Sequence, residues 1–178
     1  MIEAETVVWK MGEVDNDGEV VIEVWVDSDW AKGSERRSTS GGVMTVEGTA
    51  VKHWSRTQKT RALSVGEAEY MALVTGCADG LGLQALMADL GWETEVVIKT
   101  DSTTAKAVAS RRGLGKMRHV EVRLLWVQEA VKRGRIKLKK VGGDVNLADH
   151  LTKDQTLNDY KELLKVVGGW VIERNMKR

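Results

Sequence analysis

The stretch VVIEVWVDSDWA, residues 20 to 31, places two aspartates at the end of a β-branched, apolar run in which only Glu23 is charged. Such a run predicts a largely buried central strand. Side chains alternate along a strand, so Asp27 and Asp29 leave from the same face. Two neighbouring carboxylates repel unless a cation lies between them, so the stretch raises the question of a metal site and of which aspartate holds it.

Around this strand the sequence predicts a mixed α/β fold. A turn through Asp17 and Gly18 precedes the strand, and the later elements have alternating or helical periodicity. The predicted elements are strands 41–46 and 50–55 with a turn at 47–49, a helix from 64 to 91, strand 95–100, helix 102–110, helix 117–133, strand 135–141 and a helical region from about 146. The first three strands form an antiparallel meander. The later strands follow helical crossovers and are therefore expected to lie parallel.

Length and composition predict one soluble domain in a reducing, intracellular compartment. The 178 residues suit a single domain over 20–178, preceded by an acidic N-terminal extension or linker over 1–19. No apolar run approaches the length of a membrane span, and the acidic N-terminus does not resemble a secretory signal. Cys77 is the single cysteine, so no internal disulfide can form, and a small buried side chain is expected there.

The net charge of +1 conceals a strong segregation of charge along the chain. Residues 1–29 carry a net charge of −8, whereas residues 103–140 carry +10. A block this basic is a candidate phosphate-contacting surface. A solvated helix face is the alternative reading of the same block.

Four acids lie at strand ends or helix starts, where ligand sites of α/β sheets collect: Asp27, Glu69, Asp101 and Asp149. Gathered together, they would be strongly unfavourable without a cation. Oxygen-only ligation suits Mg²⁺ or Mn²⁺, and two such ions about 4 Å apart can activate water in phosphodiester hydrolysis. Each acid also has a structural reading, since Asp101 is a candidate N-cap and Asp149 follows a candidate cap at Asn146.

Five segments in this order resemble the RNase H domain of copia-type LTR retrotransposon polyproteins. They are VDSDWAKGSERRSTSGG, TQKTRALSVGEAEYMAL, IKTDSTTAKAVA, MRHVEVRLLWVQEAVKRGRIKL and VNLADHLTK, within residues 24–153. The resemblance implies an RNase H-like fold, a five-stranded mixed sheet of three antiparallel and two parallel strands flanked by helices. It also implies cleavage of the RNA strand of RNA–DNA hybrids with two divalent ions, and it assigns metal binding to the same four acids.

Two pairs of neighbouring acids need separate roles. Ser64 and Glu67 fit a capping box, in which the glutamate reaches back to the amide of the capping residue. Glu69 lies two residues after Glu67, which is about 200° around the helix, so the two side chains point to nearly opposite sides and cannot share a metal. Glu69 is therefore the predicted ligand, and Glu67 the structural residue. Asp27 lies within the strand and is the predicted ligand there, whereas Asp29 is expected either to support that ligand from behind or to shape the loop.

The histidines are expected to be auxiliary. The loop GGDVNL, 142–147, lacks the mobile histidine that cellular RNases H often carry before the last aspartate. His150 could substitute for it, although a helical neighbour of Asp149 usually faces elsewhere. His119 is expected to orient a helix or contact a phosphate, and His53 to be structural or substrate-facing.

Basic residues are expected to contact the hybrid through phosphates and 2′-hydroxyls, with little sequence preference. The candidates are Lys52, Arg56, Lys59, Arg61, Arg111, Arg112, Lys116, Arg118, His119 and Arg123. Trp54 or Trp126 could stack on nucleic acid, although tryptophan in apolar surroundings is more often core.

The predicted function is that of a ribonuclease H that leaves 5′-phosphate and 3′-hydroxyl ends and uses two Mg²⁺ ions, for which Mn²⁺ can substitute. The expected partners are an RNA–DNA hybrid and a reverse transcriptase, linked or associated in the parent polyprotein, with no membrane. Cytoplasm, including retroelement particles, is the expected location. The alternatives are a non-catalytic or domesticated RNase H-fold module that binds nucleic acid, and a related nuclease that acts on DNA, such as an integrase or resolvase.

Overall fold

The computed structural model describes residues 6–9, 20–32, 34–113, 115, 122–153 and 169–172. Its strands and α-helices follow in chain order: β1 (Thr6–Trp9), β2 (Val20–Ser28), β3 (Thr39–Val46), β4 (Thr49–Thr57), α1 (Val65–Asp89), β5 (Thr94–Thr100), α2 (Thr103–Ser110), α3 (Trp126–Lys132), β6 (Lys137–Lys140) and β7 (Gly169–Ile172). Short 3₁₀ helices occupy Ser34–Arg36, Val122–Leu124, Gly143–Val145 and Leu147–Leu151.

Five strands form the main sheet, in the order β4-β3-β2-β5-β6. The pairs β2–β3 and β3–β4 are antiparallel, whereas β2–β5 and β5–β6 are parallel. Parallel neighbours need crossovers, which α1 and the α2–α3 region provide. The mixed five-stranded sheet predicted from the sequence is therefore confirmed.

The central strand β2 carries the core on the face that packs against α1. Ile22, Val24 and Val26 are buried there. The helix approaches closely because it presents glycine at the contact: a Cβ at Gly76 would lie 2.4 Å from Val26 Cγ1. On the other face of the strand, Glu23 forms an ion pair with Lys99 of β5. Glu23 is the only charged residue of the apolar run before Asp27, and this ion pair neutralises it.

The 25-residue helix α1 is long and apolar enough to cross a membrane, judged by length and composition alone, contrary to the sequence-based expectation. A core helix meets the same criteria, and the buried side of α1 packs against β2 and β5. Cys77 is fully buried on this side, as predicted. Trp54 also lies in the core, and Tyr70 donates a hydrogen bond of 2.8 Å to the Leu124 carbonyl.

Other predicted elements differ in extent. The helix expected over 117–133 has its α-helical part at Trp126–Lys132, after a 3₁₀ turn, and residues 116–121 lie outside the described residues. The described part of the helical region expected from about residue 146 consists of one 3₁₀ helix, Leu147–Leu151, and then β7.

The antiparallel pairing of β1 with β7 was not predicted from the sequence. It places Thr6–Trp9, inside the expected extension 1–19, in a small second sheet. The domain boundary at residue 20 stays a prediction, and the expected turn at 17–18 lies outside the described residues.

Candidate active site

Asp27 lies near the end of β2, with its Cα opposite that of Gly41 on β3. The residue is 5% exposed, and its Oδ2 accepts a hydrogen bond from the hydroxyl of Thr152, 125 residues later in the chain. The backbone of the central strand therefore fixes the direction of a carboxylate that is almost out of contact with water.

Glu69 and Asp101 join Asp27 at this edge of the sheet. Glu69 lies in the second turn of α1, and Asp101 directly follows β5, the parallel neighbour of β2. One carboxylate oxygen from each of the three acids lies within 4.8 Å of the others. Three of the four acids chosen from the sequence thus form one cluster.

Glu67 makes its contacts at the start of α1 and is not one of the three clustered acids. Ser64 caps the helix, and its hydroxyl accepts a hydrogen bond of 3.2 Å from the Glu67 amide. The Glu67 carboxylate accepts a bond of 2.7 Å from the Leu63 amide, one residue before the predicted Ser64 amide. Glu67 therefore has the local role expected of it, with Leu63 as its backbone partner.

Asp101 does not cap α2. The N-cap is Ser102, whose hydroxyl accepts a 3.0 Å hydrogen bond from the Ala105 amide. The capping interpretation of Asp101 is therefore wrong, and its carboxylate faces the cluster, with Oδ1 3.4 Å from Asn146 Nδ2.

Asp149 lies beside the cluster but outside the group of three. Asn146 caps the 3₁₀ helix Leu147–Leu151 as predicted, with a 3.3 Å hydrogen bond from the Ala148 amide. The Asp149 carboxylate in this helix lies 2.5 Å from Lys153 Nζ. Its charge still contributes to the raised pKa of Asp27, so the fourth acid acts on the cluster without joining it.

The electrostatics of the cluster are those of crowded, desolvated carboxylates. Burial, together with the nearby Asp101 and Asp149 charges, raises the pKa of Asp27 from 3.8 to about 6. Burial and the charges of Asp27 and Asp101 raise the pKa of Glu69 from 4.5 to about 8. A cation bound among these oxygens would favour the ionised carboxylates and so oppose both shifts.

The donor set fits a hard divalent cation. It consists of carboxylate oxygens alone, which suits Mg²⁺ or Mn²⁺ better than softer metals. Burial raises the pKa of Glu69 more than the nearby Ser28 hydroxyl lowers it, and the buried Glu69 Oε2 has no partner of good hydrogen-bond geometry among the described residues. A buried carboxylate oxygen without a donor is costly, and a bound cation would satisfy it.

Asp29 has the loop-shaping contacts expected of it. Its Oδ1 accepts a 2.6 Å hydrogen bond from the Thr39 amide, and its own amide donates to the Thr39 carbonyl at 3.1 Å. The side chain is thereby committed to closing the connection between β2 and β3, and the group of three acids does not include it.

The predicted substrate-contacting residues fall into three groups. Lys52 and Arg56 on β4 flank the Trp54 ring and form ion pairs with Asp79 of α1, at 3.0 and 4.0 Å. The second group is exposed or half-buried around the loops: Lys59, Arg61, Arg111 and Arg112. The third lies outside the described residues, namely Lys116, Arg118, His119 and the side chain of Arg123.

The other histidines and tryptophans considered from the sequence differ in their exposure to solvent. His53 is exposed on β4, and His150 is half-buried in the 3₁₀ helix beside Asp149. Trp54 is 5% exposed, so it is a core residue and cannot stack on nucleic acid, whereas Trp126 is 37% exposed.

Thr152, Asn146 and Lys153 contact the acids but were not selected from the sequence as site residues. Asn146 was considered there only as a helix cap. A signal was present in VNLADHLTK, because polar residues on both sides of a candidate ligand are the usual source of its hydrogen-bond partners.

The chain has an RNase H-like fold. It is similar to the N-terminal RNase H domain of Rv2228c from Mycobacterium tuberculosis, with a TM-score of 0.51 and 19% identity over 75% of this chain and 91% of that chain. It is also similar to the foamy viral protease–reverse transcriptase solved with double-stranded DNA, with a TM-score of 0.50 and 18% identity over 76% of this chain and 92% of that chain.

Sequence comparison then gives a particular relative. The retrovirus-related Pol polyprotein from transposon TNT 1-94 of Nicotiana tabacum is 30% identical over 151 residues, which are 83% of this chain and 11% of that polyprotein. The chain therefore spans about a tenth of the curated relative. No family model matches the chain. The predicted resemblance to the RNase H domain of a retrotransposon polyprotein is confirmed by the fold and this relative together.

Proposed function

We propose that the chain is a ribonuclease H that hydrolyses the RNA strand of RNA–DNA hybrids with a pair of divalent cations. The observation that carries this proposal is the carboxylate cluster of Asp27, Glu69 and Asp101 at one edge of an RNase H-like sheet, with oxygens within 4.8 Å of one another. Three carboxylates this close together, one of them buried and two partly buried, repel each other unless a cation lies between them.

The four acids would hold the cations, Mg²⁺ in the first instance and Mn²⁺ as a substitute. When bound, such ions supply the charge that activates a water molecule and stabilises the leaving oxygen. The chain contributes the positions: β2 fixes Asp27, the capped first turn of α1 fixes Glu69, and the end of β5 fixes Asp101. Asp149 would contribute after leaving Lys153.

The substrate would be bound through its backbone. Lys59 and Arg61 are exposed in the connection between β4 and α1, which leads directly to the helix of Glu69. Arg112 is exposed after α2. Contacts of this kind read the shape and phosphates of a hybrid rather than its sequence, so affinity falls steeply with salt. Lys52 and Arg56 would contribute less, because Asp79 already neutralises part of their charge.

The parent polyprotein is the proposed context. The matched relative is a Pol polyprotein, of which this chain spans a small part. A reverse transcriptase in the same polyprotein, working inside the cell, would generate the hybrid that this domain degrades.

The test is cleavage of labelled RNA–DNA hybrid, duplex RNA and duplex DNA, each with Mg²⁺, Mn²⁺ or EDTA. We expect hybrid-specific cleavage that EDTA abolishes and Asp27→Asn removes. Asp29→Asn is the matched control; it retains an oxygen acceptor for the Thr39 amide and should keep most activity. Hybrid binding without cleavage would instead indicate a binding module, and cleavage of duplex DNA would indicate a DNA nuclease.

A further inference from the structure

Thr152 is a buried polar residue whose hydroxyl is directed at the cluster. It is 7% exposed, and its Oγ1 lies within hydrogen-bond distance of Asp27 Oδ2 and, at 3.2 Å, of the Asp149 carbonyl oxygen. Because the Asp27 oxygen is the closer acceptor, the single hydroxyl proton is assigned to Asp27. One carboxylate oxygen of Asp27 is thereby engaged, which sets the rotation of the carboxylate about its last bond. Without this donor, repulsion from Glu69 and Asp101 would favour rotation away from the cluster.

Asn146, at the other end of the same turn, makes a longer contact to the second aspartate. Its side chain is fully enclosed, and Nδ2 donates to the Val26 carbonyl at 3.1 Å while lying 3.4 Å from Asp101 Oδ1. The turn 146–152 therefore contacts both aspartates of the cluster through neutral donors.

The turn is itself held against the sheet. Ser55 of β4 donates a 2.7 Å hydrogen bond to the Leu151 carbonyl. Gly41 of β3 leaves the space that the turn fills, because a Cβ there would lie 2.7 Å from Thr152 Cγ2 and 2.9 Å from the Ala148 carbonyl oxygen. The Thr152 hydroxyl thus has a fixed position from which to orient Asp27.

We propose that Thr152 is a positioning residue: its hydroxyl holds the Asp27 carboxylate in the orientation that a divalent cation requires, with Asn146 supporting Asp101 in the same way. The inference rests on the proposed cation site. Hydrogen-bond donors behind a ligand fix its direction, and their loss typically weakens metal binding about 10- to 100-fold.

A purely structural role for Thr152 is the competing explanation, and the chain offers a matched control for it. Ser55→Ala removes a hydrogen bond that tethers the same turn but does not contact the acids. Thr152→Val keeps the shape of the side chain and removes its hydroxyl, whereas Thr152→Ser keeps the hydroxyl and removes a methyl group.

The experiment is calorimetric titration of Mg²⁺, and then Mn²⁺, into the metal-free whole chain without nucleic acid. We expect Thr152→Val to weaken cation binding at least about 10-fold, and Thr152→Ser and Ser55→Ala to stay within about 3-fold of the wild type. Thr152→Ala, which also lacks the hydroxyl and introduces no bulk, gives the same comparison if the valine variant does not fold.

Unchanged cation binding in the folded variants without a hydroxyl would overturn the inference and leave the proposed function intact. Equal weakening in Ser55→Ala would also overturn it, because the tether alone would then explain the effect. If the wild type bound neither cation, the proposed cation site would fall and the positioning role with it.

Discussion

Replacing Glu69 by glutamine should stabilise the cation-free protein at alkaline pH, although it should abolish turnover. The Glu69 carboxylate lies against Asp27 and Asp101, and its Oε2 has no hydrogen-bond partner among the described residues. Glutamine keeps the shape, removes the charge and offers an amide donor to the two aspartates. The variant therefore relieves a repulsion that the wild type relieves only by protonation or by binding a cation.

The magnitude follows from the pKa of Glu69, which burial and the neighbouring charges raise from 4.5 to about 8. Between these values the folded chain holds a proton that the unfolded chain releases, so the free energy of unfolding falls as the pH rises. At about 1.4 kcal/mol per pH unit, this interval sets a ceiling of about 5 kcal/mol. Coupling among the acids and partial solvent access reduce the measurable effect to roughly 2–3 kcal/mol.

The assay is urea unfolding in EDTA at pH 5 and pH 8.5. The wild type should lose roughly 2–3 kcal/mol more stability than Glu69→Gln between the two conditions. Asp27, with a pKa raised from 3.8 to about 6, adds a smaller decline to both proteins over its own interval, which lies mostly below pH 6. Saturating Mg²⁺ at pH 8.5 should restore more stability to the wild type than to the variant.

Glu67→Gln is the control, because it changes a glutamate in the preceding turn of α1 whose carboxylate accepts a hydrogen bond from the Leu63 amide and is not part of the group of three acids. It should show the pH dependence of the wild type. Identical pH dependence in the wild type and Glu69→Gln would refute the assignment of the destabilising charge to Glu69.

Three further predictions concern other parts of the site. Glu67→Gln should keep turnover and cost at most about 1 kcal/mol in urea unfolding, since its amide oxygen still accepts a hydrogen bond; loss of activity comparable to Glu69→Gln would contradict this. Gly41→Ala should destabilise the chain by about 1–3 kcal/mol, because its Cβ would meet Thr152 and Ala148; wild-type stability would show that the turn can move aside. Lys59→Ala and Arg61→Ala should each weaken hybrid binding and reduce the slope of log affinity against log salt by about 1, measured by titration in Ca²⁺, with Lys52→Ala as the weaker comparison; an unchanged slope would exclude phosphate contacts by these residues.

Local sequence pattern was sufficient for the elements that carry the acids. The apolar run of β2, the capping residue before α1 and the strand-to-helix change after β5 predicted where Asp27, Glu69 and Asp101 lie in the fold. The assignment of Glu69 over Glu67 followed from helical geometry, because residues two positions apart on a helix lie about 200° apart and point to nearly opposite sides.

The contacts that complete the site could not be predicted in this way. Thr152 meets Asp27 across 125 residues and Asn146 meets Val26 across 120, and no periodicity records which distant residues a turn will contact. The pairing of β1 with β7 could not be predicted for the same reason, because it joins short segments that are far apart in the chain. Asp101 was misread as a possible cap because Ser102, one position later, satisfies the same helix terminus.

The separation of the cluster's residues along the chain has a kinetic consequence. The parallel pairing of β2 with β5 closes a loop of more than seventy residues, and the contacts of Asn146 and Thr152 close loops of 120 and 125. Long loops close slowly, so these contacts are expected to form late in folding. A cation that binds only the completed cluster would then report the final folding step, and its uptake after dilution from urea should lag behind the formation of α1.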